Sequence, residues 1–218
     1  MIKKDSHYQK LVDQLVAEKT LATKEIIDAF YKIDRSNFLP SGVESNAGLN
    51  TALEIGHEQT ISQPFTVAFM LELLQPKLGQ NILDIGSGSG WQTALLAEIV
   101  KEKGKVTAIE VVPELKKTGE NNLKKFSFKN VEFVARDGSG GLPEEAPFDR
   151  IVGAAAIPKI PAVLKEQLKI GGRLVMPVGE INQKIVLIIR EDKDNYHEEH
   201  FPDFVFVPMT GKFGIGER

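Results

Sequence analysis

Apolar and polar positions along this chain follow two periods, and the change from one to the other marks its elements. From His7 to Lys19, Tyr8, Leu11, Leu15 and Val16 fall on one face of a helix; a second helix starts near Thr23, with Glu25 in its first turn and Ile26, Ile27, Phe30 and Ile33 as its buried stripe. These two helices precede everything else and serve either as a lid or as packing. Between residues 37 and 56 the period fails, and Pro40, Gly42, Asn46, Gly48 and Asn50 predict an irregular connection. Pro64 then opens a helix whose inward positions are Val67, Met70, Leu71 and Leu74.

From residue 81 onward strands and helices alternate. Asn81-Ile82-Leu83 predicts a strand, Gln92 to Val100 a helix, Lys105 to Ile109 a strand, Pro113 to Lys125 a polar helix and Val131 to Ala135 a strand. Phe148 to Val152 predicts the next strand, Ile160 to Leu168 a helix stopped by Gly171-Gly172, and Arg173 to Val178 the strand after it. That order is an α/β, doubly wound, mostly parallel sheet. The end of the chain breaks the rule: Ile185 to Ile189 and Phe204 to Pro208 flank a charged turn at Glu191 to Asn195, with no room for a crossover helix. Strands joined so closely must be antiparallel, which makes seven strands in all and a C-terminal hairpin.

Composition narrows the partners. With 218 residues and 42% hydrophobic content the chain can bury a full core and still be one domain. A formal net charge of -3 gives no basic footprint for a nucleic-acid backbone. The absence of cysteine excludes disulfides, thiolate zinc sites and a cysteine nucleophile. Met1 to Asp5 is not followed by an apolar stretch, and no run approaches a membrane span, so the expectation is a cytoplasmic protein that engages no membrane.

The chemistry centres on Asp84-Ile85-Gly86-Ser87-Gly88-Ser89-Gly90, a tight turn between a strand and a helix. Glycines at alternate positions permit positive φ and close approach of a ligand to the backbone, at a helix N-terminus that favours electron-rich groups. Glu110 ends the next strand, where doubly wound folds bind ribose hydroxyls. A dinucleotide fingerprint needs a small residue where Trp91 stands, so the dehydrogenase reading fits poorly. The spacing G-x-G-x-G after Asp84 resembles motif I of S-adenosylmethionine-dependent methyltransferases.

Other polar residues have plain readings beside functional ones. Thr60 or Ser62, just before Pro64, would serve as a helix N-cap. Asp137-Gly138 at a strand's C-terminal tip is either a ligand site or a turn-forming pair. Asp149 lies at the opposite end of its strand and reads as structural. His57 lacks a partner spaced for a metal, and His197 and His200 read as solvated loop residues, so no metal site is expected.

Longer phrases carry a closer resemblance: Ile55-Gly56-His57-Glu58-Gln59-Thr60-Ile61-Ser62-Gln63-Pro64, Asp84 to Gly90, Asp137-Gly138, Ala146 to Ile151, Gly171 to Gly179 and Phe206-Val207-Pro208-Met209. Together they resemble the protein-L-isoaspartate O-methyltransferase family from about Leu11 to the C-terminus. The Gln-Thr-Ile-Ser-Gln-Pro segment is the specific part; motif I and the double-glycine strand are shared by many class I methyltransferases. Gly48, Glu54 and Trp91 depart from the family's usual Tyr, Pro and Tyr, and the departures at Gly48 and Glu54 bear on the shape of the peptide cleft.

The resemblance implies one Rossmann-like methyltransferase domain: N-terminal helices and loop at 1–56, a cofactor core at 57–180 and the hairpin at 181–218. It implies transfer of the methyl of S-adenosylmethionine, leaving S-adenosylhomocysteine, to the free α-carboxylate of an L-isoaspartyl residue in damaged peptides and proteins. Such a carboxyl ionises near pH 3 to 4, to order of magnitude, so no general base is needed. Ser62 is the implied catalytic residue, orienting the carboxylate. Gln59, Thr60, Ile61, Asp84, Gly86, Ser87, Gly88, Gly90, Glu110, Asp137 and Gly138 are the implied cofactor residues, with Asp84, Gly86 and Ser87 on the methionine side, Glu110 on ribose, and Asp137 with Gly138 on adenine. Ile61, Ser62, Val207, Pro208, Met209 and Thr210 are the implied substrate wall. A monomer that binds no nucleic acid is expected. Two alternatives stand beside this: another class I methyltransferase, for instance one acting on RNA, and a cofactor-binding adaptor that no longer catalyses.

Overall fold

The computed structural model describes residues 7–215. In it the alternating segments fold as β3 (Asn81–Ile85), α4 (Trp91–Val100), β4 (Lys105–Glu110), α5 (Pro113–Leu123), β5 (Val131–Ala135), β6 (Phe148–Gly153), α6 (Ala162–Glu166), β7 (Leu168–Val178), β8 (Lys184–Arg190) and β9 (Tyr196–Phe201). They are preceded by α1 (His7–Ala17), α2 (Lys24–Lys32), a two-stranded hairpin of β1 (Leu53–Gly56) and β2 (Gln59–Ile61), and α3 (Pro64–Leu74). The seven-stranded sheet runs β5-β4-β3-β6-β7-β8-β9. β5 to β7 pair in parallel, and β8 and β9 add antiparallel to that edge. The chain reverses direction across the sheet at β3, between β4 and β6, which opens a crevice at the strands' C-terminal ends.

Side chains alternate across the sheet with a period of two, giving two cores. Ile82, Val106, Val152 and Val175 join one cluster with α1 to α4; Leu83, Ile151, Leu174 and Met176 join another with Leu142, Ile160 and Leu164. Every residue of α4 is buried, so it shows little amphipathic contrast. The N-terminal helices are part of the first core: Trp91 at the start of α4 meets Phe30 edge-on at 5.7 Å and Tyr8 at 6.3 Å between ring centroids. Of their two expected uses, packing is the one visible. Glu72 of α3 reinforces it by accepting from the Ala22 and Thr23 amides at 2.9 and 2.8 Å, capping α2 from a neighbouring helix.

Three expectations about elements change. The irregular stretch contains 3₁₀ turns at Arg35–Phe38 and Glu44–Gly48 and then β1, whose alternation is too short to read. Gly171 and Gly172 do not stop a helix. The helix is only Ala162–Glu166, and both glycines lie inside β7, where its pairing with β6 shifts register. A Cβ on Gly172 would stand 2.7 Å from the Lys169 carbonyl oxygen, so close backbone approach explains that glycine. Finally, the strand that pairs with β8 is Tyr196–Phe201, not Phe204–Pro208. Edge strands tolerate exposed charge, and the His-Glu-Glu-His run hides this one from a hydrophobic reading. His197 and His200 therefore sit on a strand rather than in a loop, each beside a glutamate. The apolar 204–208 run instead folds back over the crevice: Val207 accepts from the Ala156 amide and Met209 donates to the Ala156 carbonyl, both at 2.8 Å.

Candidate active site

The site begins where β3 ends. Gly86 has φ 80° and Gly88 φ 51°. The Gly86 and Ser87 amides both donate to the Ile109 carbonyl, at 2.8 and 3.1 Å, which ties the turn to β4. A Cβ on Gly86 would project into open space with no atom within 4 Å, so the glycine leaves backbone bare toward a cavity. That cavity is lined by Gly86, Gly88, Glu110, Val112, Leu115 and Gly138, and by Val207 to Thr210. Glu110, 5% exposed, accepts from the Gly88 amide through Oε2 at 2.8 Å and from the Val112 amide through Oε1 at 2.9 Å. A carboxylate has about four acceptor positions, so those two bonds leave room for a pair of neighbouring hydroxyls.

A second cavity shares Thr60, Gly86, Gly88 and Ala154 with the first, and Ile61, Ser62 and Ser87 border it. Neither Thr60 nor Ser62 caps α3. The N-cap is Gln63, which makes no capping side-chain bond, and the Phe65 amide is taken by Asn50 Oδ1 at 3.0 Å. The Ser62 hydroxyl has no partner among the described residues, and Ser87 Oγ is buried without one. Two serines whose hydroxyls have unused capacity thus border one small space beside the glycine turn. A buried polar atom left unpaired is costly, and a ligand that meets it removes the cost.

Most of the sequence-derived residues meet here. Gln59, Thr60, Gly86, Gly88, Glu110, Gly138, Val207, Pro208, Met209 and Thr210 line the first cavity; Thr60, Ile61, Ser62, Gly86, Ser87 and Gly88 line the second. Three do not reach either. Asp84 is fully buried, its oxygens accepting from Gln92 Nε2 at 2.8 Å and Thr93 Oγ1 at 2.6 Å. It supports the site by holding Gln92, which does border the Ser62 cavity. Burial, partly offset by those two bonds, pushes its carboxyl up to about 6. Gly90, with φ 85°, packs α4 onto α5; a Cβ there would stand 2.7 Å from Leu123 Cδ1 and 3.2 Å from Gly119 Cα. Asp137, beside Gly138, makes a turn contact and a loop contact: Oδ1 accepts from the Ser139 amide and Oδ2 from the Lys212 amide, both at 2.8 Å.

Other participants were not foreseen. Ala154 and Ala155 line the crevice because they follow β6, the second neighbour of β3, a position the switch-point rule could have supplied. Arg35 is wholly buried and donates to five backbone carbonyls, those of Ile61 and Ser62 included; an arginine in an irregular stretch gives no such signal. His57 and Glu58, at φ 54° and 59°, form the exposed turn of the β1–β2 hairpin. Asp149, as expected, is structural, accepting from the Asn81 amide and Lys169 Nζ at 2.8 Å each. Among the described residues no group of three or more His, Cys, Asp or Glu is placed to hold a metal, and no helix is long and apolar enough to cross a membrane.

Comparison with known proteins agrees with this geometry. A family model described as protein-L-isoaspartate(D-aspartate) O-methyltransferase matches residues 6–214. A protein-L-isoaspartate O-methyltransferase of Flavobacterium psychrophilum is 44% identical over 205 residues, covering 93% of this chain and 95% of its own length. One of Methanococcoides burtonii is 42% identical over 192 residues, covering 88% and 95%. A solved protein-L-isoaspartate O-methyltransferase superposes with TM-score 0.86 at 28% identity, over 95% of this chain and 67% of that one. A Plasmodium falciparum structure in complex with S-adenosyl-L-homocysteine shares the fold, with TM-score 0.83 at 22% identity over 94% of this chain and 99% of that one.

Proposed function

This chain belongs to the protein-L-isoaspartate(D-aspartate) O-methyltransferase family, and on that footing we propose that it methylates the free α-carboxylate of L-isoaspartyl residues in damaged proteins and peptides, with Ser62 orienting the acceptor. The observation that carries the reading is that Ser62 and Ser87, whose hydroxyls have no partner among the described residues, border one cavity, which shares Thr60, Gly86, Gly88 and Ala154 with the neighbouring cavity at Glu110. The residues fit S-adenosylmethionine: Glu110 has acceptor capacity for the ribose hydroxyls, Gly86 leaves backbone bare beside it, and Ser87 Oγ supplies a polar contact toward the methionine end. Val112, Leu115 and Gly138 offer an apolar slot for adenine. When bound, S-adenosylmethionine supplies an electrophilic methyl group on a sulfonium.

The chain's own work is then positional. The acceptor carboxyl is ionised at neutral pH, with an ordinary value of roughly 3 to 4, so the site needs no base. Ser62 donates its hydroxyl proton to one carboxylate oxygen and leaves the other free to face the methyl group. That bond slightly weakens the nucleophile, so its benefit is orientation, an effect that reaches roughly 7 to 11 kcal/mol in well-aligned systems. Thr60 and Ile61 wall the acceptor on one side, and Val207 to Thr210 lie along the mouth, where an extended peptide finds apolar contact. We place this activity in a cytoplasmic monomer; the net charge of -3 gives no support to a nucleic-acid partner.

The test is labelled methyl transfer to an isoaspartyl peptide, to its aspartyl twin and to bulk tRNA. Label on the isoaspartyl peptide alone is the expected result. Label on tRNA alone would replace this reading with an RNA methyltransferase, and cofactor binding without any transfer would replace it with the adaptor.

A further inference from the structure

Arg35 stands outside the cavities, yet it touches both halves of the site. Its Nη2 donates to the Ser62 carbonyl at 3.0 Å, the Ile61 carbonyl at 3.4 Å and the Thr51 carbonyl at 2.8 Å. Nη1 donates to Leu49 at 3.0 Å and Ala47 at 3.5 Å. The flat guanidinium also lies over the Trp91 ring, 5.4 Å from its centroid. Trp91 follows Gly90 directly, so it is the first helical residue after the glycine turn, and it borders the Ser62 cavity.

This is an expensive way to fill a core. The side chain is 0% exposed, Nε has no partner, and no carboxylate pairs with the charge among the described residues. Apolar side chains of similar volume commonly replace buried charges at no loss of stability, so packing alone does not account for an arginine here. A rigid fork of donors gives something an apolar group cannot: it fixes several carbonyls at once relative to one plane. Here that plane lies over Trp91, and two of the five carbonyls, those of Ile61 and Ser62, belong to the strand-to-helix junction carrying Ser62, while the other three tie that junction to Ala47, Leu49 and Thr51.

We infer that Arg35 is a positioning residue for methyl transfer, one that registers the Ser62 backbone against the helix springing from the glycine turn and thereby fixes where the Ser62 hydroxyl stands. This rests on the role proposed for Ser62. Lysine keeps the charge but offers no planar fork, so Arg35→Lys should blur the register without removing the cation.

The test is a double-mutant cycle of Arg35→Lys and Ser62→Ala, reading kcat and KM on an isoaspartyl peptide, S-adenosylhomocysteine affinity by calorimetry, and thermal unfolding. Coupling between residues that act as one unit makes their effects non-additive, so Arg35→Lys should lower kcat about tenfold or more in the wild type and less than about twofold beside Ser62→Ala. KM and S-adenosylhomocysteine affinity should stay within about threefold of wild type. An equal loss of kcat in both backgrounds overturns the inference while leaving Ser62 its role. Unchanged turnover in Ser62→Ala alone overturns the underlying reading instead. If Arg35→Lys does not fold, Arg35→Met is measured; failure of both to fold, or kcat in Arg35→Met equal to wild type, assigns Arg35 to the scaffold and also overturns it.

Discussion

The Gly88 amide donates to Glu110 Oε2 at 2.8 Å, which makes the glycine turn after β3 and the tip of β4 a single rigid unit. The other oxygen holds Val112 at the start of α5, so one carboxylate organises three sides of the cofactor cavity. Glu110→Gln keeps the shape but sets an amide NH₂ against one of the two backbone donors. Hydrogen bonds to a charged group contribute about 1.5 to 3 kcal/mol, so affinity for S-adenosylhomocysteine should fall roughly 10- to 100-fold. Calorimetric titration of the product onto the folded variant checks this; wild-type affinity would take Glu110 out of the site.

In the role proposed for Ser62, Ser62→Ala removes only the group that distinguishes one carboxylate oxygen from the other. Since α3 is capped without it, the helix should not notice. Turnover of an isoaspartyl peptide should drop more than about tenfold with S-adenosylhomocysteine affinity near wild type, the pattern of a contact that matters in the transfer step. A thermal midpoint lowered in proportion to activity would point to a structural serine.

Asp137 makes a different prediction from the one its strand-tip position suggested. Its carboxylate holds the Lys212 amide, and its neighbour Ser139 accepts from the Phe213 amide at 3.0 Å, so the loop after β5 latches the segment that follows the 207–210 wall. Burial acts to raise its carboxyl, but the Lys212 and Ser139 amides outweigh that and hold it below the ordinary 3.8. A depressed carboxylate contributes its stability above the unfolded value and loses it as pH falls through the folded one, so the latch is intact at neutral pH. Asp137→Ala should speed hydrogen exchange at Lys212 and Phe213 and raise KM for the peptide. The competing adenine contact predicts the opposite split, lost S-adenosylhomocysteine affinity with unchanged exchange.

What could be read in the sequence was whatever the backbone repeats. Apolar runs and helical stripes placed β3 to β6 and α1 to α5, because burial on one or both faces leaves that pattern; the strand order, and with it the reversal at β3, is not written in the pattern. The glycine turn and Glu110 were legible because steric need fixes both residue type and spacing. Asp84, Gly90 and Asp137 belong to the motifs but line neither cavity, because a motif records which residues recur together, not which atom each one meets. Gly48 shows the same limit: it breaks the usual phrase, and the structure gives the reason, since a Cβ there would stand 2.6 Å from the His7 backbone. Arg35 could not have been found at all, since its five carbonyl partners come from residues 12 to 27 positions away and carry no side-chain signature.

Asp84 supplies the last prediction, because its burial makes the fold sensitive to pH in an unusual direction. Its folded value of about 6 lies above the ordinary 3.8, so the native state binds a proton more tightly than the unfolded chain. The stability this group contributes is therefore complete below the unfolded value and is lost as pH rises through about 6. Roughly two units of difference correspond to about 3 kcal/mol at most. Asp84→Asn abolishes the titration while keeping the packing: its oxygen still accepts from Thr93, and its NH₂ meets Gln92 once that amide turns over. Urea unfolding of both proteins from pH 4 to 7 should show the variant gaining on the wild type as pH rises, with most of the change between pH 4 and about 6. Parallel curves would mean that the Asp84 carboxyl titrates alike in the folded and unfolded chain, the bonds from Gln92 and Thr93 cancelling the effect of burial.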